Sequence, residues 1–296
     1  MTHRLLLFAP CTAMALTGCV CGCGPRSAAA VAQSRPDPAA ARAAASGTPA
    51  SSSTSAPASA APEPSPSASA SSEPPPQPPT RHPFHEPLPA LSLPRSAPAM
   101  RYANLSPAAC RTEAKRRALP VRRDRRPTPG VATALRFTGP VHGVTFVAAG
   151  PKSPYGLVDC RLALTLAELA EVLSEHGVDR VHIGTAYRPS SRLPRRGRKL
   201  SQHAHGLAAD VVAFHLQDGT TLNIERDWHG EIGAPSCGPD AHLSEETEQA
   251  IRLRNLVCDI ARRGFFHFML TPNYDRAHHD HLHLDIKRDA KRGVIR

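Results

Sequence analysis

The stretch His278-His279-Asp280-His281-Leu282-His283-Leu284-Asp285 decides how the rest of the chain reads. Four of the sixteen histidines fall within its first six residues. From His281 onward the pattern alternates: His281, His283 and Asp285 share one parity, and Leu282, Leu284 and Ile286 share the other. A period of two predicts a strand with one apolar face and one face of ligand-type side chains. Imidazole is the commonest protein ligand for a metal, and a catalytic zinc takes three protein ligands and keeps a fourth position open. Such a strand supplies one or two of the three.

The remaining ligands are sought in Ser201-Gln202-His203-Ala204-His205-Gly206-Leu207-Ala208-Ala209-Asp210. On one straight strand His203 and Asp210 would lie roughly 23 Å apart, at about 3.3 Å per residue. To meet at one ion the chain must fold back between them, and Gly206 stands where a sharp turn is cheapest. His203 is therefore placed in a loop and Asp210 at the start of a strand. His203, Asp210 and one histidine of His281-x-His283 form a two-histidine, one-carboxylate set. Nitrogen and carboxylate oxygen with an open position suit a catalytic zinc, whereas a structural site would favour thiolates.

Composition divides the chain. Residues 25–100 are dominated by Ala, Pro and Ser and hold too little apolar surface to offset their ordering entropy, so a disordered linker is expected there. Residues 101–296 are long enough for one ordinary core. Upstream, Met1-Thr2-His3-Arg4 is basic and Leu5 to Leu16 is mostly apolar but too short to span a bilayer. Leu16-Thr17-Gly18-Cys19 is similar to a bacterial lipobox, so residues 1–24 read as a lipoprotein signal and anchor, with the protein exported to the cell envelope and held at a membrane; the alternative is an ordinary signal peptide cut nearby and a secreted protein. In that compartment disulfides are allowed. Cys110, Cys160, Cys237 and Cys258 permit three pairings. The expected one joins Cys110 to Cys160 and Cys237 to Cys258, tying a first helix to the segment before the next one, and the Trp228 loop to the longest helix. The net charge of +11 suits an anionic partner. Nucleic acid is disfavoured by the export signal and an aromatic content of 4%. A monomer is expected.

Within the domain, the pattern predicts a short helix ending near Ala118, a basic surface loop over 120–130, and helices over Thr165–His176 and Ser244–Arg263. Strands are expected at Val141–Ala148, Val178–Thr185, Asp210–Leu216, Thr220–Ile224 and Phe265–Leu270, with the histidine-rich strand last. The fold class is α+β: a small, mostly antiparallel sheet with few helices.

The two motifs Ser-x-His-x-x-Gly-x-Ala-x-Asp and Asp-His-x-His-x-Asp, with Asn273, Tyr274 and His278, resemble the bacterial extensin-like C-terminal domains over most of residues 104–288. They are also similar to the zinc D-Ala-D-Ala peptidases, murein endopeptidases and lysostaphin-type enzymes, a resemblance that implies a hedgehog-like fold. It implies that His203, Asp210 and His283 hold Zn2+, and that the substrate is an amide bond in peptidoglycan peptides. It places His281 and His278 as active-site histidines and Arg188 as an anchor for the peptide. Asp280 stands where the D-Ala-D-Ala peptidases carry a glutamate base, one methylene longer. Asp280 is expected as the water-activating base with His281 stabilising the oxyanion, His281 being the rival base. The alternative function is a wall-binding module that keeps zinc for structure alone. Asp285 is expected to orient a ligand histidine, and His205 and His279 to stay off the metal.

Overall fold

A computed structural model describes residues 81–296, apart from 90–91, 149, 151–152 and 194–198. The expected signal, the Cys19 anchor and residues 25–80 of the expected linker lie outside the described residues. Everything described falls in one compact unit. No described helix is long and apolar enough to cross a membrane.

In chain order the helices are α1 (Pro98–Tyr102), α2 (Pro107–Arg116), α3 (Cys160–Glu175), α4 (Ile224–Asp227) and α5 (Glu248–Arg262). The strands are β1 (Val121–Arg123), β2 (Ala134–Phe137), β3 (Thr145–Ala148), β4 (Val158–Asp159), β5 (Val178–Thr185), β6 (Ala208–Leu216), β7 (Thr221–Asn223), β8 (Phe268–Leu270), β9 (Leu282–Asp285) and β10 (Val294–Ile295). A small antiparallel sheet runs β1-β2-β4, and the main sheet runs β10-β8-β9-β6-β5-β3, with β7 also paired to β6. The class is α+β, as expected. The pairings β3–β5 and β8–β10 are parallel and the others antiparallel.

Strand β6 is the axis of the main sheet. On one edge it pairs with β5; on the other, its first half pairs with β9 and its second half with β7. The register sets Asp210 opposite His283 and Val211 opposite Leu282. Leucines 282 and 284 enter the core with Leu166, Leu169 and Leu173 of α3 and Leu253, Leu256 and Val257 of α5. Burying that apolar parity forces the other parity, His283 and Asp285, onto the opposite side.

Several boundaries differ from expectation. Helix α3 starts at Cys160, five residues before Thr165, because Asp159 accepts from Arg161 N and caps it. Residues Cys160 to Ala167 are all buried, so the first two turns carry no amphipathic period to read. Arg161 is accommodated by bonding the cap itself, Nε to Asp159 Oδ1 at 2.7 Å. Helix α5 starts at Glu248, where the Thr247 side chain accepts from Ala250 N, and the acidic Ser244–Glu246 segment lies before it. Residues 141–144 form a turn instead of strand, with His142 at φ 47°. The basic loop over 120–130 contains an edge strand, β1, paired with β2.

The boundary at residue 101 falls inside packed structure. Phe84 is fully buried against Cys237 and Cys258, and its amide and carbonyl bond Asn255 Oδ1 and Gly238 N at 2.9 Å each. The two expected disulfides, Cys110–Cys160 and Cys237–Cys258, are present.

Candidate metal centre

His203 lies on a single 3-10 turn, Gln202–His205, and its own amide donates to the Ser201 hydroxyl that caps the turn. Gly206 then adopts φ 63°, reversing the chain into β6. A Cβ there would also meet Asp159 N at 2.9 Å, so both conformation and space demand glycine. The turn expected between His203 and Asp210 is thus made at Gly206. It brings His203 Nε2 within 3.0 Å of Asp210 Oδ1. His283, across the ladder, places Nδ1 at 3.1 Å from both atoms. These are the three residues that group as a candidate metal set among the described residues.

The outer hydrogen bonds fix which nitrogen faces inward. His203 Nδ1 donates to the Ala186 carbonyl at 2.8 Å, which leaves the Nε2 lone pair pointing at the cluster. His283 Nε2 donates to Asp285 Oδ2 at 3.2 Å, which leaves its Nδ1 lone pair there. Asp285 thereby fixes the orientation of the His283 ring. Three acceptor lone pairs then converge at 3.0–3.1 Å with no donor between them. Such a set needs a cation or a proton. With protons alone to share, burial pushes the His283 pKa down, but Asp210 and Asp285 outweigh it and raise it to about 9. Burial also acts to raise the Asp210 carboxyl, yet bonds from His203 and His283 hold it far below the usual carboxylate range.

The donor set fits zinc. A tetrahedral zinc with bonds of about 2.0–2.1 Å keeps its ligand atoms about 3.3 Å apart, close to the triangle these atoms already form. The set comprises two ring nitrogens, braced from behind by the Ala186 carbonyl and Asp285, and one carboxylate oxygen.

Around this triangle stand the other residues singled out in sequence. Arg188, half exposed, reaches within 3.5 Å of Asp210 Oδ2, and its amide donates to the His203 carbonyl at 3.1 Å. His281 Nε2 lies 3.6 Å from Asp210 Oδ1, while its Nδ1 bonds Asp280 Oδ1 at 2.7 Å. That bond holds the Asp280 carboxyl below its ordinary value. His278 has its ring 5.1 Å from that of His281 and 6.2 Å from that of His283. Its Nδ1 is held by Asp275 Oδ1 at 2.7 Å. Burial pushes the His278 pKa down and Asp275 pulls against that shift. His205 instead bonds Gly130 O and His279 bonds Arg276 O, both outside the cluster.

Sequence reading missed Asp275 and the Ala186 carbonyl. The first left a signal, since an Asp three residues before a His at a turn can cap the turn and reach the ring; Asp275 also accepts from Ala277 N. The second left none, because a backbone carbonyl brought in by β5 carries no sequence mark.

A family model described as the extensin-like protein C-terminus matches residues 108–296. Comparison with curated proteins and with solved structures found no match. The match spans more than half of the chain and holds every residue of the cluster, so the chain belongs to the extensin-like protein C-terminus family.

Proposed function

We propose that this protein hydrolyses amide bonds in peptidoglycan peptides with the help of one zinc ion held by His203, Asp210 and His283. The observation that carries the reading is the convergence of two ring nitrogens and a carboxylate oxygen at 3.0–3.1 Å, beside a histidine whose Nε2 stands 3.6 Å from that carboxylate. Bound there, zinc supplies Lewis-acid polarisation of a carbonyl and acidifies water. The remaining work falls to the chain. His281 Nε2 faces the cluster and is the atom placed to take a proton from water and return it to the leaving amine. Asp280 is engaged with His281 Nδ1 and so orients that imidazole and steadies its cationic form. This reverses the roles expected from the resemblance, because the shorter aspartate reaches the histidine and leaves the cluster-facing position to it. Arg188 offers a half-exposed cation for a substrate carboxylate or a developing oxyanion. His278, held by Asp275, lines the same side as a second proton carrier or hydrogen-bond donor.

The wider setting follows the sequence. A lipobox-like Cys19 and an Ala/Pro/Ser-rich segment suit a domain tethered to an envelope membrane and reaching the wall as a monomer.

Metal analysis of the purified protein, with mass spectrometry of peptidoglycan digests, tests the proposal. Stoichiometric zinc and cleaved stem peptides are expected. His281→Ala should lower turnover by about two or more orders of magnitude with zinc retained, and Asp280→Asn by less. Zinc without cleavage would instead identify a wall-binding module.

A further inference from the structure

Five large hydrophobic side chains are exposed among the described residues; one of them, Tyr274, stands against His278, and another, Ile232, sits on a turn hydrogen-bonded to the Tyr274 turn. Tyr274 is 41% exposed and its ring stands T-shaped to that of His278, with centroids 5.4 Å apart. Ile232 is 64% exposed. Their two turns are locked together. Gly233 N donates to Asn273 O at 2.7 Å, Trp228 Nε1 to Asn273 Oδ1 at 2.7 Å, and Asn273 Nδ2 to Ala234 O at 3.0 Å. A Cβ on Gly230 would lie 2.0 Å from Asn273 Oδ1, so the turns close on each other at a point only glycine can occupy. Behind them Arg254, fully buried, donates to Trp228 O and Ser236 O and stacks on the Trp228 ring at 4.2 Å.

A mobile loop can show apolar groups to water at little cost, because it can fold them away. These turns cannot. A buried cation, a clamped asparagine and an obligatory glycine fix the backbone under two exposed apolar side chains, one of them against His278. Rigid support under an exposed group is the arrangement of a preformed binding surface.

We infer that Tyr274 and Ile232 form a stacking platform for a pyranose ring of the glycan strand, placed so that the attached peptide runs past His278 toward the metal triangle. The inference rests on the peptidoglycan reading above. The chemistry favours a sugar ring over a peptide methyl group. The surface is open, and a methyl gains little from an uncovered face. A pyranose presents a broad face of C–H groups with partial positive charge, complementary to the negative face of an aromatic ring. Its equatorial hydroxyls meet polar groups at the edge; the exposed Glu231 adjoins Ile232 in sequence, and the exposed Arg276 follows Tyr274 by two residues. The net charge of +11 suits the anionic character of such a glycopeptide.

Calorimetry on the zinc-loaded full chain, in a His281→Ala background that spares the ligand, separates the alternatives. The probes are a disaccharide muropeptide and the same stem peptide without sugars. Tyr274→Ala should weaken muropeptide binding about tenfold and Ile232→Ser about threefold, with zinc content and sugar-free peptide affinity unchanged. Tyr274→Phe should bind like the parent, since the ring face is retained. Equal weakening on both probes, or none on either, overturns the platform while leaving the peptidoglycan reading standing. If the parent binds neither probe, the peptidoglycan reading fails and the platform with it.

Discussion

Arg254 and the His203–Asp210–His283 cluster are both buried polar centres, and they are opposites. Arg254 is a cation with no carboxylate in ion-pair distance among the described residues. Backbone carbonyls of Trp228 and Ser236 and the face of the Trp228 ring surround it instead. Burial pushes its pKa down to about 10, so it stays charged at neutral pH. The cluster is the reverse, two ring nitrogens and a carboxylate that close on one another only by sharing a proton or taking a cation. A centre that the chain surrounds with its own carbonyls and an aromatic face reads as structure. A centre left short of a positive charge reads as a place for one.

Removing a ligand tests the contrast with the largest effect. His283→Ala should abolish stoichiometric zinc, whereas His205→Ala should keep it, since His205 bonds Gly130 O outside the cluster. Atomic absorption on the dialysed proteins reads the outcome, and zinc retained by His283→Ala with loss in His205→Ala would move the site.

Arg254→Met tests the other pole. It removes the buried charge but strands the carbonyls of Trp228 and Ser236, so a loss of about 3 kcal/mol is expected in urea unfolding. Zinc content should stay unchanged at 25 °C. Zinc lost in proportion to stability would show that the two centres are one unit.

Asp285→Asn has a smaller reach. The amide oxygen can still accept from His283 Nε2, but without the charge that makes the ligand nitrogen a better donor to metal. Zinc affinity should fall about tenfold, within the usual range for such supporting groups, as measured by competition with a chelator. An unchanged affinity would mean that Asp285 serves the strand and not the metal.

These two centres also differ in how far sequence alone reveals them. The parity of His283 against Leu282 and Leu284 is local, and a strand displays it in four residues. The turn at Gly206 was legible for the same reason. What stayed hidden depends on distant chain: the register that sets Asp210 opposite His283, and the carbonyl of Ala186 that fixes the His203 tautomer. Arg254 left a trace that is easy to pass over. It stands four residues from Ala250 and from Cys258, both buried on the same helix, and so in the apolar stripe of α5. An arginine in a core stripe signals a buried network. The upstream packing of Phe84 was obscured by its Pro-rich neighbourhood, where composition masks a single anchoring aromatic.

A third polar centre is complete in itself yet open to water, and it marks the lower limit of the comparison. Asp259 on α5 bonds His176 Nε2 at 3.0 Å, just beyond the end of α3, and Arg263 Nε at 3.2 Å. Partial burial acts to raise the Asp259 carboxyl, but His176 and Arg263 outweigh it and hold the pKa below its ordinary value. A depressed folded-state pKa contributes stability that is present above the unfolded value of about 3.9 and is lost as pH falls through the folded one. Asp259→Asn should therefore cost about 1 kcal/mol or less at pH 7, since solvent and salt screen the pair. The gap to the parent protein should narrow below about pH 4, where the carboxylate of the unfolded chain takes up a proton before that of the folded one. Urea midpoints measured from pH 7 to pH 3 at two salt concentrations read this directly. A gap that widened in acid would reverse the sign assigned to Asp259, and one as large as that of Arg254→Met would mean that water reaches this centre far less than its exposure suggests.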